Sequence, residues 1–235
     1  MKRARGLNGL NGLIELNEGK RAQLTTAAAL FLTGCLFRPV TDSTRHFVLA
    51  PIPADKPPPA ATRQLSIRMG FVRMPSQLLQ DSIAVHNGAN EIEYFKNAVW
   101  AERLDHCFEQ TLALNLSRLL SSEGIYLDCW GRDPAVARVY VNVQQFQVDT
   151  RGTGTLIAEW RITAPDSGET LKSGQASLAR TGGSPLGNPQ VVATTLSDLT
   201  ADFSRELAQS IREIRPKTSQ LGLNISKQRQ HSTSL

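Results

Sequence analysis

The chain has 235 residues, a formal net charge of +5, and 40% hydrophobic but only 6% aromatic residues. The charge is unevenly placed: residues 1–34 hold Lys2, Arg3, Arg5, Lys20 and Arg21 against Glu15 and Glu18, and the remainder holds 21 basic and 19 acidic residues. The basic balance therefore belongs largely to the N-terminal segment, and no basic stripe with interleaved aromatics follows it, which excludes a nucleic-acid-binding reading. The roughly 200 residues after that segment suffice for one domain with a real core.

An apolar run, Leu24–Leu32, sits behind Lys20 and Arg21 and ends in Leu32-Thr33-Gly34-Cys35. A basic region, a short apolar region and small residues before a cut make the secretory signal pattern. The cysteine directly after the small residues makes it a lipoprotein signal. Leu32, Thr33 and Gly34 resemble the bacterial lipobox, with Cys35 as the lipid-attachment residue, its thiol taking a diacylglycerol with palmitate-type acyl chains. Residues 1–34 are then a signal peptide. A single transmembrane anchor is the alternative, but a span needs about 20 predominantly apolar residues, whereas Ala22–Gly34 is shorter and interrupted by Gln23, Thr25, Thr26 and Thr33. The long basic region, Met1–Arg21, leaves a start further downstream open.

Residues 35–62 are expected to carry the lipidated N-terminus, a first strand over 43–49 and a connector. Pro51, Pro53 and Pro57-Pro58-Pro59 lack amide donors and fix φ, so this connector is extended and lies outside the sheet. Residues 63–215 are expected to complete a single domain, which the first strand joins. Leu65, Ile67, Met69 and Phe71 alternate with Ser66, Arg68, Gly70 and Val72, the period of a half-buried strand. Met74-Pro75-Ser76 breaks it. Ser82–His86 and Glu91–Phe95 flank His86-Asn87-Gly88, a hairpin signal. Trp100, Leu104, Phe108, Leu112, Leu116 and Leu119 recur at three or four residues, which predicts an amphipathic helix ended by Gly124.

A strand over Ile125–Trp130 follows. Then Val139, Val141 and Val143 share a face, but beyond Gln144-Gln145 the apolar set moves to Phe146 and Val148. That shift of frame predicts a β-bulge near Gln144. Arg151-Gly152-Thr153-Gly154 turns the chain into the alternating Leu156, Ala158, Trp160 and Ile162, and Asp166-Ser167-Gly168 turns it into a strand over Glu169–Arg180. After the loop Thr181–Pro189, Val192, Leu196, Leu199, Phe203, Leu207, Ile211 and Ile214 predict a last helix, closed by Pro216. Residues 216–235 are polar and predict a disordered tail. The predicted class is α+β: a mainly antiparallel sheet with two amphipathic helices packed on one face.

The residues give no catalytic constellation and no metal-ligand spacing. Phosphate-loop, nucleophile-elbow and zinc-protease motifs are absent. His46, His86, His106 and His231 are scattered, and His106 and Asp105, being adjacent on a helix, point apart. Glu91 and Glu93 alternate onto one strand face, the ordinary pattern of a solvated edge. Tyr94 and Trp100 read as core or as a partner surface. With Cys35 lipidated, Cys107 and Cys129 form an even pair in an oxidising compartment, so a disulfide or two buried thiols are both open. A non-enzymatic protein without cofactor is expected.

The segment Arg73-Met-Pro-Ser-Gln-Leu-Leu-Gln-Asp-Ser-Ile and the segment Glu91-Ile-Glu-Tyr-Phe-Lys-Asn-Ala-Val-Trp-Ala-Glu-Arg-Leu, with Phe47-Val48-Leu49 and the lipobox upstream, resemble the auxiliary lipoproteins of ABC-type transport systems, the PqiC-like family. Met74-Pro75 stands where that family has Leu-Pro. The resemblance implies a periplasmic lipoprotein working with an MCE-domain protein, an ABC permease and an ATPase that carry phospholipid or other hydrophobic molecules across the envelope. It implies docking of the MCE assembly at the periplasmic face of the outer membrane, as a ring-shaped homo-oligomer. Leu36 after the cysteine, rather than Asp, agrees with outer-membrane sorting. The alternative function is a lipoprotein regulator of cell-wall synthesis.

Overall fold

The computed structural model describes residues 43–54, 65–121, 125–127 and 135–232. Its strands are β1 (Arg45–Phe47), β2 (Leu65–Arg73), β3 (Ser82–Asn87), β4 (Glu91–Trp100), β5 (Ile125–Leu127), β6 (Ala135–Val148), β7 (Thr153–Thr163) and β8 (Thr170–Thr181). Two α-helices, α1 (Leu104–Leu120) and α2 (Pro189–Ser232), and a short 3-10 turn at Ser76–Leu78 complete the order. The class is α+β, as the patterning predicts.

The strands form two sheets, where the apolar alternation alone suggested one. The smaller has the order β1-β4-β3 and the larger β5-β2-β6-β7-β8. The long pairings β6–β7 and β7–β8 are antiparallel, while β2 pairs in parallel with both β5 and β6. Antiparallel neighbours need only a tight turn, whereas parallel neighbours need a crossover; α1 lies in the crossover between β2 and β6. The sheets meet where β3 bridges the end of β6, with the Thr150 amide donating to the His86 carbonyl at 3.0 Å.

Both helices pack on one face of the larger sheet. That face presents Val139, Val141, Val143, Phe146 and Val148 of β6 and Leu156, Ala158, Trp160 and Ile162 of β7, all buried. The β6–β7 register shifts between Val143 and Gln145. This bulge restores the inward face at Phe146, as the change of apolar frame in the sequence requires. The predicted turns also form: Gly88, Gly152 and Gly168 have φ of 71°, 86° and 70°, the left-handed region that glycine enters without a Cβ penalty. Asp149 Oδ1 accepts from the amides of Arg151 (3.0 Å) and Thr153 (2.7 Å) to close the β6–β7 turn.

Two helix limits differ from the sequence reading. Trp100 ends β4 rather than opening α1. Its amide donates to the Asp81 carbonyl at 2.7 Å, so this backbone is committed to the sheet until the chain turns at Ala101–Arg103. Trp100 is buried either way, which is why its spacing to Leu104 mimicked a helical stripe. α2 starts as its residues demand: Pro189 occupies the first turn, and Asn188 Oδ1 accepts from the Gln190 amide at 3.2 Å. It runs past Pro216 to Ser232, where the sequence places its stop at Pro216. An internal proline removes one amide donor and crowds the preceding turn, a cost of about 3 kcal/mol, but the backbone can continue beyond it.

Gly70 of β2 shapes the other face of the larger sheet. A Cβ there would lie 2.3 Å from the Tyr140 ring, so the aromatic can rest on the β2 backbone only because residue 70 has no side chain. Gly70→Ala is expected to destabilise by about 1–3 kcal/mol through overpacking and to change the near-ultraviolet signal of Tyr140. An unchanged melting temperature would show that the ring moves aside freely.

Candidate functional site

The predicted lipid-attachment residue Cys35 and the lipobox residues Leu32, Thr33 and Gly34 lie outside the described residues, as does Cys129. Cys107 is a buried free thiol on α1. Its Sγ donates to the Glu102 carbonyl at 3.5 Å, and burial pushes the thiol pKa up. The other candidates are solvated contacts. His106 Nδ1, in the first turn of α1, lies 3.2 Å from Glu102, four residues earlier in the turn before the helix, and both are exposed. Glu91 and Glu93 share a face, as their spacing predicts, and both accept from Asn87 Nδ2, at 3.1 and 2.7 Å. Among the described residues there is no cluster of three or more His, Cys, Asp or Glu that could hold a metal. No helix among them is long and apolar enough to cross a membrane.

Residues 47–52, near the start of the described chain, are clipped to the helices. Phe47 and Leu49 are buried, and the Phe47 carbonyl accepts from the Ala101 amide at 2.8 Å. Thr111 Oγ1 donates to the Leu49 carbonyl at 3.3 Å. The Ala50 amide donates to Ser197 Oγ at 2.9 Å, and the Ile52 amide to Asn115 Oδ1 at 2.8 Å. Arg118 donates to the Ile52 carbonyl. Asn115 is fully buried and also donates through Nδ2 to Ser204 Oγ at 3.1 Å, so one amide side chain joins residue 52, α1 and α2. The sequence does not reveal this clip. Thr111, Asn115 and Ser197 read as polar helix positions, and nothing local says that an extended segment some 60 to 150 residues away supplies their partners.

Two surfaces stand out. On the smaller sheet, Val85, Tyr94, Phe95, Pro185 and Leu186 edge a notch of about 100 Å³, with Leu186 74% exposed. The second surface is the face of the larger sheet turned away from the helices. Here the Phe71 and Tyr140 rings meet at 4.9 Å between centroids. The Arg73 guanidinium lies 4.5 Å from the Phe71 centroid and that of Arg161 lies 5.8 Å from Tyr140. These four residues border an open hollow of about 550 Å³ that also reaches Asn142, Glu159 and Gln175.

The basic residues of this sheet divide by face. On the helix side, Lys172 pairs with Glu213, and Arg180 Nη2 donates to Asp202 Oδ1 at 2.7 Å. The hydrogen bond from Arg180, against the opposing effect of burial, holds the Asp202 carboxyl below its usual range. A depressed folded-state pKa stabilises the fold above the ordinary carboxylate range, and this contribution is lost as pH falls through the depressed value. Asp202→Asn is therefore expected to flatten the acid limb of a stability–pH curve below about pH 4. Denaturant unfolding of both proteins across that limb checks this, and equal acid sensitivity would count against the link.

Comparison with known proteins bears on the whole arrangement. The family model of the ABC-type transport auxiliary lipoprotein component matches residues 47–208. A solved structure of an uncharacterized protein superimposes with a TM-score of 0.58 at 18% identity, covering 72% of this chain and 98% of its own. A protein from Xanthomonas campestris superimposes with a TM-score of 0.59 at 16% identity, covering 75% of this chain and 99% of its own. At these identities the likeness is one of fold. No curated protein matches.

Proposed function

Because this chain belongs to the family of ABC-type transport auxiliary lipoprotein components, we propose that it is the lipid-anchored periplasmic accessory of an envelope transporter for phospholipid or other hydrophobic molecules. In this reading Cys35 carries the acyl chains, an MCE-domain protein with its permease and ATPase is the partner, and the folded domain, as a homo-oligomer, holds the MCE assembly at the outer membrane. The observation that carries the reading is the family match over residues 47–208, directly downstream of a lipobox.

The physical chemistry fits an anchored domain. Cys35 and Arg45 are ten residues apart. Extended chain spans at most about 3.3–3.6 Å per residue, so the start of β1 stays within about 36 Å of the acylated cysteine. The hydrogen bonds at residues 47–52 keep that tether short by fixing its protein end to α1 and α2. Anchor strength grows by about 0.8 kcal/mol for each buried methylene.

The test is a membrane fractionation and co-purification of the full chain beside Cys35→Ala. The native form is expected in the membrane fraction with an MCE protein and permease. Cys35→Ala is expected to leave the membrane fraction and lose those partners. Retention of Cys35→Ala in the membrane would mean an uncleaved anchor, and recovery of cell-wall synthases in place of transporter subunits would overturn the transport role.

A further inference from the structure

We infer that the outer face of the larger sheet is a docking surface for an acidic polypeptide segment, gripped by the row Arg73, Phe71, Tyr140 and Arg161. The inference deepens the accessory role proposed above and rests on it for the partner's place in the transport assembly.

Charge carries the argument. The five strands of the larger sheet contain Arg68, Arg73, Arg138, Arg161, Lys172 and Arg180 but one carboxylate, Glu159. The helices neutralise the basic groups on their own side, Lys172 with Glu213 and Arg180 with Asp202. On the other side no carboxylate pairs with Arg73, Arg138 or Arg161 among the described residues, and Glu159 is instead engaged by Asn142 Nδ2 at 3.4 Å. Cross-strand register places Tyr140 beside Arg161 and Asn142 beside Glu159, so these groups form one continuous surface. An acidic partner satisfies this excess.

Shape and composition select a polypeptide. A pocket for a small ligand encloses most of its occupant, whereas this hollow is an open depression along the sheet. Aromatic residues and arginine are the residues enriched at protein interfaces and dominant at their hot spots. Phe71 is 44% exposed yet held between Arg73 and Tyr140, and Gly70 lets the Tyr140 ring lie against the strand, so the platform is ordered before a partner arrives. Guanidinium groups at both ends of an aromatic pair suit a segment whose carboxylates flank an apolar residue. β1, the first described strand, lies on the edge of the smaller sheet, and this face belongs to the larger one.

The test places the photo-crosslinker p-benzoylphenylalanine at Ser173 or Gln175, on this face, and at Ser167, in the β7–β8 turn, in the full lipidated chain in native membranes. Positions 173 and 175, but not 167, are expected to give a product whose linked peptide carries excess Asp and Glu. Its yield is expected to fall about tenfold or more in Arg73→Glu/Arg161→Glu and to weaken with added salt. An unchanged melting temperature establishes that the double variant folds; if it does not fold, Arg73→Gln/Arg161→Gln replaces it. No product, a product with lipid, a product with a second copy of this chain, or a yield indifferent to the arginines overturns the inference. If transporter subunits still co-purify through the Cys35 anchor while no product forms, the docking face fails and the accessory role stands. If the product maps to an acidic segment outside any transport system, the accessory role fails and the face stands.

Discussion

Phe108→Ala is expected to destabilise the domain by about 3–5 kcal/mol, the range for truncating a buried phenylalanine. Phe108 is fully buried on α1, with its ring 5.2 Å from Phe146 of β6 in an edge contact and 6.1 Å from Phe203 of α2 in a stacked one. It therefore joins both helices to the sheet at the residue that follows the β6 bulge. Truncation removes aromatic contacts on two sides, and three elements would have to shift together to close the void. Single domains are stable by about 5–15 kcal/mol, so the loss is a large share of the whole. Urea unfolding of the Cys35→Ala full chain, with and without the change, measures it: the midpoint is expected to fall with the slope unchanged. Leu114→Ala on the same helix is the internal reference, because Leu114 is 42% exposed and its loss is expected to cost under about 0.5 kcal/mol. Equal effects at 108 and 114 would mean that the helix faces are assigned wrongly.

Asn115→Leu is expected to cost about 2–4 kcal/mol, since it keeps volume but leaves buried polar groups unpaired. The Ile52 amide loses its acceptor, and Ser204 Oγ loses a donor while still donating to the Thr200 carbonyl at 2.6 Å. The change also loosens the segment at residues 49–52. Amide exchange at Ile52 and Ala50 is expected to accelerate more than exchange at Val141 in the sheet centre, and proteases are expected to cut within residues 48–54 before the domain unfolds. Uniform acceleration across the domain would show that Asn115 supports the core as a whole and has no special hold on the clip.

Both effects bear on what could be read in advance. The helical stripes were plain in the residues, because an amphipathic helix must repeat its apolar positions every three or four residues. Leu104, Phe108, Leu112 and Leu116, and the stripe Val192, Leu196, Leu199, Phe203, Leu207, Ile211 and Ile214, are buried as that spacing predicts, and Leu119 is partly buried. The bulge near Gln144 was legible for a similar reason: a strand has a strict period of two, so an apolar set that changes parity needs an extra residue. Trp100 misled because burial in a strand and burial on a helix leave the same local mark.

The arginine face was only half legible. Counting shows one carboxylate among the segments that form the larger sheet, and that count needs nothing but the sequence. It does not show that Arg180 and Lys172 face α2 while Arg73 and Arg161 face outward. That division depends on cross-strand register and on the β2 irregularity between Met69 and Val72, which brings Phe71 and Arg73 to the outer side. The clip at residues 49–52 was not legible, because its donors and acceptors are separated by 62 to 147 residues.

By itself the sequence determined the local and short-range features: the two apolar helix faces, the hairpin turns with their glycines, and the α+β class. Each follows from periodicity or φ preference, which are properties of neighbouring residues. Only the tertiary structure decided that the strands form two sheets, that β2 joins β5 and β6 in parallel, that Asn115 holds residue 52 between the helices, and that Arg73 and Arg161, without a carboxylate partner among the described residues, share one face. Those features arise from pairings between distant segments, where many registers satisfy the same apolar pattern and packing of the whole core selects one.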